Sequence, residues 1–310
     1  MLQKTPVESR QTSRHVRAGD VALFVAVVLV WGFSWPAMRY QLGEVAPEVS
    51  GIWRFALGAI AMLIIAALRR ERFRYPAAVH VRLAFLGATL FSFNFALFYY
   101  AAIHVTTGLL AVLFSLAAVI NVALEALLLR ARISGRVLLG GLLGATGVAL
   151  LFYPELAGAH IGAGAAYGLA LASVGTFLFC FGNIASLKLQ RQKTPVFASM
   201  GIGMLYGCVF LALLALWNGS PFTYETRAGY LISILYLGLG SSAIGYACYF
   251  PLLDRIGPAR AGYVTVLMPV IALGISTFTE GYVWSVPAAL GLAIVVIGNV
   301  LVLSAPRPAR

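Results

Sequence analysis

Charge is scarce in this sequence. Asp, Glu, Lys and Arg make up 10% of its 310 residues, against about 25% in an ordinary soluble domain. That scarcity excludes a domain whose whole surface faces water. Cysteine is nearly missing as well: Cys180, Cys208 and Cys248 form no CxxC or Cys/His ligand pattern, which excludes a disulfide framework or a structural zinc site. They read as small apolar packing residues. The four histidines, His15, His80, His104 and His160, fall in tails, in loops or at the ends of apolar runs. An intramembrane protease or metal-dependent transferase needs a histidine facing an interior nucleophile, and "GSSAIG", the nearest serine stretch, has no such partner. The chain reads as no enzyme, with no cofactor or metal implied.

What the sequence does have is apolar length. Hydrophobic residues make up 61% of it, in ten runs at 20–38, 47–68, 82–103, 108–129, 136–153, 162–187, 196–217, 229–250, 259–279 and 285–304. Each is long enough to cross a hydrocarbon core of roughly 30 Å. Their connections are short, which leaves no room for a soluble domain. The period-two alternation of a membrane β-barrel is absent, so the expected fold is an all-α integral membrane bundle of ten transmembrane helices. No small-residue cleavage signature follows the first run, which therefore reads as an uncleaved helix.

The net charge of +12 is a topology signal. With the N-terminus cytoplasmic, 19 of the 22 basic residues fall in inside segments, with Arg39 and Arg227 outside and Arg54 within a span. The opposite orientation violates the positive-inside bias, so both termini are expected in the cytoplasm. Anionic lipid, not nucleic acid, is the partner this distribution implies.

The chain is also written twice. "FLGATLFSFNFALFYYAAIHVTTGLLAVLFSLAAVI" from Phe85 lies over "YLGLGSSAIGYACYFPLLDRIGPARAGYVTVLMPVI" from Tyr236 at a constant offset of 151, and the register continues to place Gly140 and Gly147 over Gly291 and Gly298. The units are residues 20–153 and 162–304, flanked by a basic tail at 1–19 and a short tail at 305–310. Five spans per unit start the second unit on the opposite side of the membrane from the first. Such inverted repeats are a signature of secondary transporters, which bind near the midplane between the repeats.

"VWGFSWPAM" in the first span, "WRFALGA" in the second and "CYFPLLDRIGPARAGYVTVLMPVIAL" across the eighth and ninth resemble the EamA-type transporters of the drug/metabolite transporter superfamily, over Asp20 to Leu303. That resemblance implies a multi-pass protein of the bacterial plasma membrane. It implies a carrier that moves a small metabolite by alternating access. Two departures stand out. Ala118 occupies the position equivalent to Pro269, and the acidic residue that closes the ninth span, Glu280, has no counterpart in the stretch "LLRARIS".

Candidate cavity residues follow from polarity inside the spans. Pro269 frees the Thr265 carbonyl, which in a membrane needs another partner, and it is expected to bend the ninth helix around a cavity while Arg260 holds that helix's cytoplasmic end. Arg54 lies roughly 10 Å inside its helix at about 1.5 Å per residue, where a charge needs water, a partner or an anion. A guanidinium can clamp a carboxylate with two hydrogen bonds. Asn121 and Glu125 share one face of the fourth span, and Glu125, read as the one carboxylate within a span, is the candidate for proton coupling, with Arg130 and Arg132 nearby as alternative ion-pair partners. Trp31, Ser34, Asn94, Tyr99 and Tyr246 supply aromatic faces and an amide suited to an amphipathic metabolite. Asn183 completes the set.

The expected function is secondary export of an amino acid or related amphipathic compound. An importer of a vitamin or nucleobase-like compound and a drug efflux carrier are the alternatives. Small-residue faces serve packing within and between chains alike, so the sequence assigns no oligomeric state.

Overall fold

The computed structural model describes residues 17–128, 134–157 and 162–304. Among these residues every regular element is helical: α1 (Ala18–Arg39), α2 (Pro47–Leu68), α3 (Ala77–Leu90), α4 (Phe93–Ala102), α5 (Thr107–Phe114), α6 (Ala117–Leu128), α7 (Gly135–Ala157), α8 (Gly162–Arg191), α9 (Val196–Asn218), α10 (Ala228–Leu235), α11 (Gly245–Ala261), α12 (Val264–Thr279) and α13 (Val286–Leu303). A π-helical segment, Tyr236–Ile244, joins α10 to α11. Nine described stretches are long and apolar enough to cross a membrane, and α12 is a shorter tenth. Helices are what such a sequence must form, because lipid offers backbone groups no other partner.

The ends of these stretches obey local chemistry. Pro47 opens α2, where a missing amide costs nothing, and Gly219, at φ +68°, closes α9 in the left-handed conformation that favours glycine. Side-chain contacts sort the ends into two layers. At the near end, which carries Ala18, Asp20 pairs with Arg255 at 3.5 Å, and Glu71 accepts the Ala198 amide at the start of α9 at 2.8 Å. At the far end Arg39 donates to the Ala102 carbonyl at 2.9 Å, and Arg227 donates to that of Tyr40 at 3.2 Å.

Two expected spans are interrupted and one is extended. The third breaks at Phe91–Ser92 between α3 and α4, and the fourth at Ser115–Leu116 between α5 and α6. The eighth runs on past its expected end: residues 257–261 belong to α11, and Gly262–Tyr263 turn the chain into α12. The backbone at Arg260 therefore closes the eighth span instead of opening the ninth. The Arg260 side chain, Arg130, Arg132 and the tails 1–16 and 305–310 lie outside the described residues.

Close contacts occur in matched pairs. On the α7–α13 seam a Cβ at Gly140 would lie 2.6 Å from the Gly298 carbonyl oxygen, and one at Gly147 would lie 2.6 Å from that of Gly291. In the sequence register Gly140 corresponds to Gly291 and Gly147 to Gly298, so the repeat exchanges one contact for the other. That reciprocity is the mark of a local two-fold relation. The approach of Gly87 to Gly203 and Gly207, and of its register partner Gly238 to Arg54 and Gly58, repeats the pattern between α3 and α9 and between the π segment and α2.

Candidate functional site: a central cavity with one buried cation

A cavity of about 120 Å³ lies at the centre of the bundle, lined from α1, α2, α4, α5, α8, the π segment, α11 and α12. That is several times the space one water molecule needs. Its walls are mainly aromatic. Trp31 and Trp35 come from α1, Phe55 from α2, Phe91, Phe95 and Phe98 from the region of the α3–α4 break, Phe114 from α5, Phe179 from α8 and Tyr246 from α11. The rings meet edge-on: Trp35 with Phe98 at 5.2 Å, Trp31 with Tyr246 at 5.4 Å and Phe114 with Phe179 at 4.6 Å between centroids. Edge-to-face packing holds the walls apart without polar groups.

Two polar side chains break that wall with buried atoms left unpaired, the Arg54 Nε and both amide atoms of Asn94. Arg54 is 4% exposed, and its guanidinium carbon sits 4.4 Å from the Phe95 ring centroid and 5.1 Å from that of Phe55. Among the described residues no carboxylate lies within ion-pair distance of it. Asn94, 1% exposed, has neither its Nδ2 nor its Oδ1 hydrogen-bonded within the protein. By contrast Ser34, Ser242 and Thr265 donate to the Trp31, Leu237 and Gly262 carbonyls at 2.6, 2.9 and 2.7 Å. The π segment contributes through its loosened ladder: the Trp31 indole donates to the Ser241 carbonyl at 3.1 Å, and Gly245 makes room, since a Cβ there would lie 2.5 Å from Trp31 Nε1.

Trp31, Ser34, Arg54, Asn94, Tyr246 and Thr265, all candidates from the sequence, thus meet at one cavity. The other candidates lie elsewhere. Tyr99 is fully buried and donates to Gln41 Oε1. Pro269 is buried one residue behind the lining residue Met268. Asn121, on α6, leaves its Oδ1 unpaired, and Asn183 is partly exposed on α8. Glu125 is 49% exposed and pairs with Arg191 at 3.6 Å, so it is ion-paired and not enclosed by the protein. The reading of Glu125 as the one carboxylate within a span is also corrected. Glu48, in the first turn of α2, is fully buried and accepts from Tyr100 at 2.7 Å, Asn218 at 3.0 Å and Ser220 at 2.7 Å.

The cavity is closed toward the far end. Glu280, at the end of α12, accepts from the Thr107 amide at 2.9 Å, from the Thr107 hydroxyl and from Ser276 at 2.6 Å, while Ser276 accepts the Gly108 amide at 2.9 Å. These bonds cap the start of α5 from α12. Residues Thr107–Leu113 are accordingly buried on every face. Toward the near end it is the fourth and eighth spans that lose their burial. Ala118–Leu124 of α6 and Tyr246–Pro251 of α11 are partly exposed on all faces. Contact with lipid exposes only an outer face, so the inner faces there are open as well.

The sequence missed most of the aromatic wall. Phe side chains that line a cavity and those that face lipid look alike in hydropathy, and only the polar members carried a signal.

A bundle of apolar spans around a closed-ended cavity defines a multi-pass membrane transporter. The chain belongs to the EamA-like transporter family, whose model matches residues 19–153 and 166–304. It is similar to the "Probable amino-acid metabolite efflux pump" of Escherichia coli K12, 26% identical over 82% of this chain and 84% of that one, and to the protein of the same description from Salmonella typhimurium, 26% identical over 94% and 98%. Protein PagO of Salmonella typhimurium is 23% identical over 91% of this chain and 92% of its own. A solved crystal structure shares the fold at a TM-score of 0.67, with 18% identity over 92% of this chain and 96% of that one.

Proposed function

We propose that this chain is a secondary carrier that exports a small amphipathic metabolite, an amino acid or related compound, across the bacterial inner membrane by alternating access. The observation that carries this reading is the central cavity, closed by α5 and α12 at one end and open between α6 and α11 at the other. A channel needs both ends open together; a carrier needs one end closed at a time. The matched glycine contacts support two inverted five-helix units, residues 20–153 and 162–304, rocking about the cavity. With the basic segments cytoplasmic, the near end faces the cytoplasm, and the state described is the one that loads from inside.

The two relatives described as amino-acid metabolite efflux pumps support the direction and the substrate class. The test compares metabolite pools inside and outside bacterial cells that overexpress the chain with cells carrying an empty vector. One compound class accumulating in the medium, with flux that saturates and shows counterflow, is the expected result. Accumulation inside the cells reverses the direction, and a flux that never saturates refutes the carrier.

A further inference from the structure

We infer that Arg54 and Asn94 form a carboxylate subsite, so that the molecule carried is an acid with an apolar body and amphipathic cations are refused. This rests on the carrier reading above and narrows its substrate. Arg54 is a buried cation without a carboxylate partner among the described residues. A buried charge of this kind is stable only when something compensates it, and the cavity it faces has no acidic residue in its lining. The Phe55 and Phe95 rings compensate it in part, and an anion that enters the cavity would supply the rest. A planar guanidinium matches a carboxylate in shape as well as sign.

Asn94 makes the subsite specific. It lies 1% exposed at the same cavity with both amide atoms unbonded, in a wall where Ser34, Ser242 and Thr265 already donate to backbone carbonyls. Its Nδ2 is a second donor for an anion, and its Oδ1 can accept from an N–H or O–H near the carboxylate. The rings around them take the apolar body. An amine without an acid group meets the reverse situation: it would share the cavity with the uncompensated Arg54 charge and find no carboxylate in the lining.

The test uses purified full-length chain in liposomes loaded with four probes that share one isobutyl group. Leucine and N-acetylleucine carry the carboxylate; leucinamide and isoamylamine keep the amine and lack it. Release of the two acids at least ten-fold faster than the two amines, with the acid release falling at least ten-fold in Arg54→Gln and partly restored in Arg54→Lys, is the expected result. Thermal unfolding of each variant in detergent identifies loss of fold. Amines leaving as fast as acids, or Arg54→Gln releasing acids at the wild-type rate, overturns the inference. If no probe leaves but compounds from a bacterial metabolite extract do, the carboxylate subsite is wrong and the carrier stands; if the extract too stays inside, the carrier reading fails with it.

Discussion

At the scale of the residue, the molecule places its polar groups in two kinds of surroundings. Glu48 is buried and saturated by three donors, whereas the Arg54 Nε and both amide atoms of Asn94 are buried and unpaired. The first kind holds helices together, and the second is what the proposed ligand would satisfy. Glu48→Ala removes the shared acceptor of Tyr100, Asn218 and Ser220 at the far end, and by the usual worth of hydrogen bonds to a charged group, about 1.5–3 kcal/mol, it should lower thermal stability in detergent. An unchanged melting temperature would show that water replaces the carboxylate. Trp31→Phe keeps an aromatic face of smaller area and removes the indole N–H that satisfies the Ser241 carbonyl. Transport should fall several-fold while stability changes by about 1 kcal/mol, as read by flux and melting on the same preparation.

At the scale of the element, the working parts are helix breaks. The α5–α12 contact depends on Glu280 and Ser276 capping the start of α5. Glu280→Ala should loosen the far end and shift the carrier toward opening there. With Cys180, Cys208 and Cys248 replaced, a Met38→Cys probe, buried at 2%, should react several-fold faster with an impermeant maleimide applied from the far side in the Glu280→Ala background. Equal labelling would mean that the cap does not hold the closure. How much of this the sequence disclosed follows from its physics. Ten apolar runs were legible because span length and apolar content are set by the bilayer. The breaks at Phe91–Ser92 and Ser115–Leu116, and the π segment, were not: each leaves hydropathy unchanged and alters only which backbone carbonyl meets which amide. Arg54, Asn94, Ser34 and Thr265 could be found because a polar group in a span demands a reason. Tyr99 has its reason in Gln41, a partner in the turn after α1 that no local reading of the chain connects to it.

At the scale of the whole molecule, ten crossings would put both chain ends on one side, and the basic segments predict the cytoplasm for that side. Fluorescent-protein fusions at either terminus should fluoresce, and alkaline phosphatase fusions at the same positions should be inactive. Active phosphatase would reverse the orientation and make the described state one that opens outward. The α7–α13 seam carries a longer consequence. Gly140 meets Gly298 and Gly147 meets Gly291, a surface that one unit's sequence can supply from both sides. A five-helix ancestor bearing it could have paired with an upside-down copy of itself, both encoded by a single gene. Duplication and fusion of such a unit would free each half from having to fit its own twin, and the difference between Ala118 and Pro269 is of the kind that freedom permits: a helix-bending proline in one unit that the other does not have to share.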